Sequence, residues 1–415
     1  MTRYYESVKE RMIRYAKINT QSSNHADSYP TTSCQRDLAV ILAKELEQIG
    51  ASDVFLDERS FIVYAKIPST AKDAEPVGFI AHMDTSPDAP GENVKPWVLE
   101  KYDGGDIILN DKRNIVMHHA DYPNLAAYVG EDLILTDGTT LLGGDDKAAI
   151  SAIMTAAQYI IADPGIEHGD ICIAFTPDEE VGGLARDLDF ERFGAKTAYT
   201  LDGDHLGYYE DETFNASHAT ITIKGLSVHP GTAKGIMKNA SDIASEFLSM
   251  LPPTEKPQYT DGREGFFHVI SVLGICEEAR IEIIVRDFDR DSFESREEFL
   301  RTISSRLNEK YGEGTVALSI TEQYRNMREI IDSVPYLVDN LRRAIEDCGI
   351  TPVCEPFRGG TDGSSLSFRG LPCPNLSAGY ENAHGRFEYV PIINMEKNVE
   401  IIIHLCEIAA EKSKK

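Results

Sequence analysis

Carboxylates and imidazoles stand at five separated turns of this chain. His82 and Asp84 form a His-x-Asp pair at the end of the apolar run that starts at Val77, and the two-residue period of a strand puts both side chains on one face. A neutral imidazole can bind a metal through one ring nitrogen while a carboxylate accepts the N–H of the other and fixes the tautomer. The same pair also suits an ordinary polar loop start. Asp145 and Asp146 follow Gly143-Gly144 and precede a helical stripe, where carboxylates serve as N-terminal caps or where one can bridge two cations. The run Thr176-Pro-Asp-Glu-Glu-Val-Gly182 sets three carboxylates side by side, which repel one another unless a cation is near. One of Glu179 and Glu180 can then ligate while the other takes a proton from water; a solvated acidic loop is the alternative. Asp202 closes another strand, and His384 sits in the late Asn382-Ala-His-Gly-Arg386. Taken together these residues supply the nitrogen and oxygen ligands that zinc accepts without thiolate.

Such residues need rigid elements behind them. Arg36 to Ile49 repeats apolar residues at helical spacing until Gly50, and Pro76 to Asp84 reads as a buried strand that delivers its last side chains to a site beyond its carboxyl end. Ile150, Ile153, Met154, Ala157, Ile160 and Ile161 place a helix after Asp146, with core strands at 170–176 and 197–201. Strands alternating with helices predict an α/β catalytic layer, a mainly parallel mixed sheet with helices on both faces. Near residue 213 the grammar changes: alternating strands at 219–224, 279–287 and 315–321 surround helices at 236–250 and 295–311. This predicts a four-stranded, two-helix, ferredoxin-like α+β lid over 214–323, inserted between catalytic segments 1–213 and 324–415.

The order and contexts of these motifs resemble, over nearly the whole chain, the two-zinc metallo-aminoacylase and carboxypeptidase superfamily, and within it a branch of tripeptide aminopeptidases. The resemblance rests on FIAHMDTSPDAPGENVKP (79–96), TDGTTLLGGDDKAA (136–149), FTPDEEVG (175–182), SVHPGTAKG (227–235), IVRDFDR (284–290), YRNMRE (324–329), RGGTDGSSLSFRGLPCPNL (358–376) and HGRFEYV (384–390). It implies two Zn2+ ions, with His82 and Asp202 on one, Glu180 and His384 on the other, and Asp145 on both. By the same resemblance Asp84 supports His82, and Glu179 is the base toward a water bridging the metals. The Asp145–Asp146 peptide is expected to be cis. His229 is implied to stabilise the oxyanion and Arg286 to grip the substrate's carboxylate, with Asn326 and Arg358 through Thr361 as further substrate contacts. The branch commonly carries Gly-Ala-Asp-Asp and a glycine run after the strand-end Asp, where this chain has Gly144 and Asp204-His205. A related amidohydrolase acting on dipeptides or N-acyl amino acids, and a silent peptide-binding member, are the alternatives.

The bulk numbers agree with this reading. Against 41 Lys+Arg stand 68 Asp+Glu, a formal charge of −27, which disfavours nucleic acid and anionic membranes as partners. The 7 cysteines form no CxxC pair, so a reducing compartment fits better than a disulfide framework. No apolar h-region opens the chain, and no stretch reaches the ~18 apolar residues of a membrane span. A cytoplasmic enzyme acting on short peptides is expected, with a homodimer through the lid domain as the partner that the resemblance suggests.

Overall fold

Two-residue alternation sorts the core strands' side chains into two apolar layers. Val63, Ala65, Phe79, Ala81, Ile171, Ile173 and Phe175 face one layer; Tyr64, Ile80, Cys172 and Ala174 face the other. In this computed structural model, which describes residues 2–26 and 28–412, those strands form a sheet of 8. Its order is Ser52–Leu56, Val63–Ile67, Ile171–Thr176, Val77–His82, Ala198–Leu201, Asn375–Leu376, Tyr208–Glu210 and Val353–Cys354. The four central strands, from Ile171–Thr176 to Asn375–Leu376, pair parallel, whereas Ser52–Leu56 and Val63–Ile67 join antiparallel at one edge. Parallel strands need both faces covered. Helices Tyr5–Ala16, Gln35–Ile49, Gly144–Ala162, Tyr336–Asp347 and Ile392–Lys412 contribute to the first layer, and Asp362–Phe368 to the second.

Helix Gln35–Ile49 ends where Gly50 takes φ 96°, a left-handed turn that favours glycine. The helix after Asp146 is more deeply set than a single apolar stripe predicts, with every residue from Gly144 to Ala157 buried. Its small Ala and Ser positions let other elements pack on several sides. Two short sheets were not visible in the sequence pattern: Trp97–Leu99, Leu133–Leu135 and Val390–Pro391 form one, and Ile107–Asn110 with Ile115–Met117 the other. Segments of two to four residues are too brief to show a period.

The chain separates into two units, one containing the 8-stranded sheet and the other made of residues 212–328 and 356–360. In the second unit a 4-stranded sheet runs in the order Phe266–Gly274, Glu278–Asp287, Asn215–Lys224, Val316–Tyr324, antiparallel throughout. With helices Ala240–Ser249 and Arg290–Tyr311 this is the β-α-β-β-α-β ferredoxin-like order. Both helices begin away from the apolar pattern's first residue, because capping sets their starts. Asn239 accepts from the Ser241 N–H at 3.0 Å, and Asp289 from the Ser292 N–H at 2.8 Å. Strand Phe266–Gly274 escaped the alternation test because Ile270, Val272 and Leu273 stay exposed. No helix among the described residues is long and apolar enough to cross a membrane.

Candidate metal centre and active site

Core strands and tight turns deliver the chemistry-bearing residues. His82 ends Val77–His82, and the Glu179–Val181 turn follows Ile171–Thr176. Asp202 follows Ala198–Leu201, and its N–H donates to the Leu376 carbonyl at 2.9 Å. These are the carboxyl ends of parallel strands, where open α/β sheets form their sites. Asp145 and Asp146 sit at the start of helix Gly144–Ala162 in non-helical conformations, and the peptide between them is cis. His384 lies in a loop closed by paired hydrogen bonds between Glu381 and Tyr389 at 2.9 and 3.1 Å.

The side chains converge in two groups that share Asp145. Donor atoms of His82, Asp145 and Asp202 all lie within 4.8 Å of one another, as do those of Asp145, Glu180 and His384. His82 Nε2 is 2.9 Å from Asp145 Oδ1 and 3.8 Å from Asp202 Oδ1. His384 Nε2 is 2.8 Å from Glu180 Oε2 and 3.2 Å from Asp145 Oδ2. Asp84 faces His82 Nδ1 at 3.3 Å and also accepts the Glu179 and Glu180 N–H groups at 2.9 and 3.3 Å. It therefore fixes the acidic turn as well as the imidazole. Asp146 accepts the His82 backbone N–H at 3.1 Å, and Tyr380 donates its hydroxyl to Asp202 at 3.2 Å.

This crowding calls for positive charge. Burial, aided by Asp145 and opposed by His384, pushes Glu180 up to about 8. Burial and the neighbouring Asp202 push Glu179 well above the usual range, and burial does the same to Asp146. Burial would lower His82, but its bonds to Asp145, Asp202 and Asp84 outweigh that and raise it. Hydrogen bonds to Asp145 and Glu180 lift His384 to about 11. Protons thus collect where cations would serve. Glu180 Oε1 is buried without a hydrogen-bond partner. Two imidazoles and three carboxylates, with no thiolate, fit hard or borderline divalent ions, and the site is suited to a metal cofactor.

Comparison with known proteins gives the family. Residues 212–315 match the family described as Peptidase dimerisation domain. The chain is 48% identical over 407 residues to peptidase T of Clostridium botulinum, covering 98% of this chain and 100% of that one. The chain belongs to the peptidase T family. A second relative, peptidase T of Geobacillus kaustophilus, is 49% identical over 97% of this chain and 98% of its own. Membership in the peptidase T family makes this chain a peptidase. Among solved structures, aminopeptidase PepT from Bacillus cereus superposes with a TM-score of 0.78 at 22% identity, covering 98% of this chain and 99% of that one. A Bacillus subtilis protein described as a dinuclear metal binding peptidase of the M20 family superposes with a TM-score of 0.66 at 13% identity, over 98% and 99% of the two chains.

Of the remaining residues singled out in this peptidase T family member, His229, Arg286, Asn326 and Arg358 lie in the second unit, whereas Thr361 belongs to the first. His229 is exposed, and its Nδ1 accepts the Gly231 N–H at 3.1 Å. Arg286 is buried, donating to the carbonyls of Ser217 and Val285 at 3.2 and 3.0 Å and to Gln323 Oε1 at 2.9 Å. Asn326 donates to Glu212 Oε1 and the Phe288 carbonyl, both at 3.0 Å. Arg358 donates to the carbonyls of Gly262 and Glu264 at 2.6 and 3.0 Å and lies over the Phe214 and Phe266 rings.

Glu388 lies inside the HGRFEYV motif, but nothing in its spacing singled it out. It is 2% exposed, and its carboxylate accepts the N–H groups of Leu142, Gly143 and Asp145 at 2.8, 2.8 and 2.9 Å. A Cβ on Gly144 would come within 2.5 Å of Val390 Cγ2 and 2.9 Å of Glu388 Oε1, so glycine lets this clamp close. Lys147, next to the turn in sequence, sends its Nζ to the Ile18 carbonyl at 2.9 Å.

Proposed function

We propose that this chain is a cytoplasmic two-zinc aminopeptidase that removes the N-terminal residue from short peptides, above all tripeptides, and works as a homodimer. The observation that carries the reading is the pair of donor groups sharing Asp145, with Glu179 beside them on the turn that Asp84 holds. Glu179 has no side-chain hydrogen bond among the described residues, which leaves its carboxylate oxygens available to a water. His82 and Asp202 would hold one ion, Glu180 and His384 the other, and Asp145 both. When bound, the ions would lower the pKa of water and polarise the scissile carbonyl. Glu179 removes a proton from the attacking water and returns it to the leaving amine. Asp84 keeps Glu179 and His82 in place. His229 donates to the oxyanion, Arg286 takes the peptide's carboxylate with its guanidinium, and Asn326 and Arg358 line the substrate; these four roles are carried by family resemblance.

The homodimer is supported by the dimerisation-domain match and by the apolar exposure of Leu273, in the edge strand of the 4-stranded sheet, and of Ile275 in the turn that follows it, 69% and 67%. Zinc-loaded protein is tested on di-, tri- and tetrapeptides with free or acetylated amino termini. Release of the first residue from unblocked tripeptides, lost with a chelator and with Glu179→Gln, is expected. Near-normal turnover by Glu179→Gln sinks the reading, and a preference for N-acetyl substrates would transfer it to an amidohydrolase.

A further inference from the structure

Asp178 is a buried carboxylate with no part in the chemistry proposed above, yet it stands directly before Glu179. Its backbone takes φ 59°, a left-handed conformation uncommon for a residue other than glycine. Asp178 Oδ2 accepts the Thr31 N–H at 2.6 Å, and Oδ1 accepts the Thr31 hydroxyl at 2.5 Å and Gln35 Nε2 at 2.6 Å. Gln35 Oε1 accepts the Asp178 N–H in return, at 3.2 Å. Gln35 is 0% exposed and braced by Thr32 Oγ1 at 3.1 Å. The Asp178 carbonyl then accepts the Gly183 N–H at 2.7 Å, which closes the turn. Asp84 grips the same turn from its other side through the Glu179 and Glu180 N–H groups.

We infer that Gln35 and Thr31 are positioning residues for Glu179, holding Asp178 in the left-handed conformation from which Glu179 and Glu180 diverge to separate tasks. A helix cap would need one of these bonds; four on Asp178 alone, reaching across more than a hundred residues of sequence, specify the direction of the turn. The inference rests on Glu179 as the base. Displacing a reacting group by about 1 Å can cost on the order of 100-fold in rate, and loss of the Gln35 pair frees the turn on one side only.

The test compares Gln35→Met, Thr31→Val, Gln35→Glu and the swap Gln35→Glu with Asp178→Asn, which restores an amide facing a carboxylate. Steady-state kinetics on an unblocked tripeptide are read with bound-metal content and thermal midpoint. Gln35→Met is expected to lower kcat by roughly 10- to 100-fold with KM and metal content near the parent's, Thr31→Val to lower it less, and the swap to recover part of what Gln35→Glu loses. Full kcat in both Gln35→Met and Thr31→Val overturns the inference, as does a loss that follows metal content or thermal midpoint alone. Thr31→Val removes only a hydroxyl and serves if Gln35→Met fails to fold. Glu179→Gln is measured alongside. If it retains turnover, the reading of the base falls and this inference with it; if it is inactive while the Gln35 and Thr31 variants are normal, only this inference falls.

Discussion

Replacing Glu388 by glutamine should loosen the metal centre without touching a metal ligand. Both carboxylate oxygens are in use, Oε2 by the Leu142 and Gly143 N–H groups and Oε1 by the Asp145 N–H. Glutamine keeps one acceptor oxygen. Its better rotamer preserves the two bonds on Oε2 and turns an NH2 toward the Asp145 N–H, donor against donor. A hydrogen bond to a charged group contributes about 1.5–3 kcal/mol, so one such loss at the backbone of Asp145 weakens metal binding by roughly 10- to 150-fold if it is all felt there. Fluorescent-chelator competition measures the affinity, and amide exchange at residue 145 in metal-free protein reports the clamp itself. An affinity within about threefold of the parent's, below the 10–100-fold usual for such supporting groups, would refute the argument, and unchanged exchange at that amide would show that Glu388 does not hold the loop.

Three other outcomes are expected. Charging the exposed edge with Leu273→Glu and Ile275→Glu should convert a dimer to monomers in light scattering, since both side chains stand in solvent on one chain and a like-charged edge resists pairing. Ile281→Ala, in the fully buried core of the second unit, should cost about 2–5 kcal/mol of that unit's stability in denaturant unfolding. Asp106→Asn should lower the His118 pKa toward about 6.5 in an NMR titration, because the hydrogen bond to Asp106 holds His118 above its ordinary value. The signs differ for the two partners. Bonds from His118 and His119 hold Asp106 below the usual carboxylate range, so its contribution is present above the unfolded value of ~3.9 and fades as pH falls through the lower folded one. The His118 contribution is complete below ~6.5 and fades as pH rises through its raised value. Asp106→Asn should remove both slopes.

What the sequence disclosed depended on how local each signal was. Val77 to His82 and Ile171 to Thr176 announce buried strands because their apolar runs end abruptly in polar residues, and His82, Glu179 and Glu180 are visible at those ends. Asp202 and His384 carry no such mark singly; they become legible by their order relative to the others. Glu388 and Gln35 stayed hidden for a physical reason. Each acts on backbone groups far away in sequence, Glu388 on residues 142–145 and Gln35 on the Asp178 N–H, and hydrogen bonds to a distant main chain leave no spacing pattern. Strand Phe266–Gly274 was obscured because its outer residues are apolar, which erases the alternation that reveals a half-buried strand.

The donor group of Asp145, Glu180 and His384 also bears on how the molecule comes into being. Chains emerge from the ribosome N-terminus first, and domains fold largely as units during synthesis. Asp145 and Glu180 are made before the ferredoxin-like unit, and His384 after it. That unit carries its own core and can collapse while this donor group still lacks its imidazole. Completion of this donor group therefore belongs to the closing stage of biogenesis, and a nascent chain halted between residues 202 and 384 contains His82, Asp145 and Asp202 but not the full second set of donors. The order of the codons leaves an unfinished chain without its full donor set.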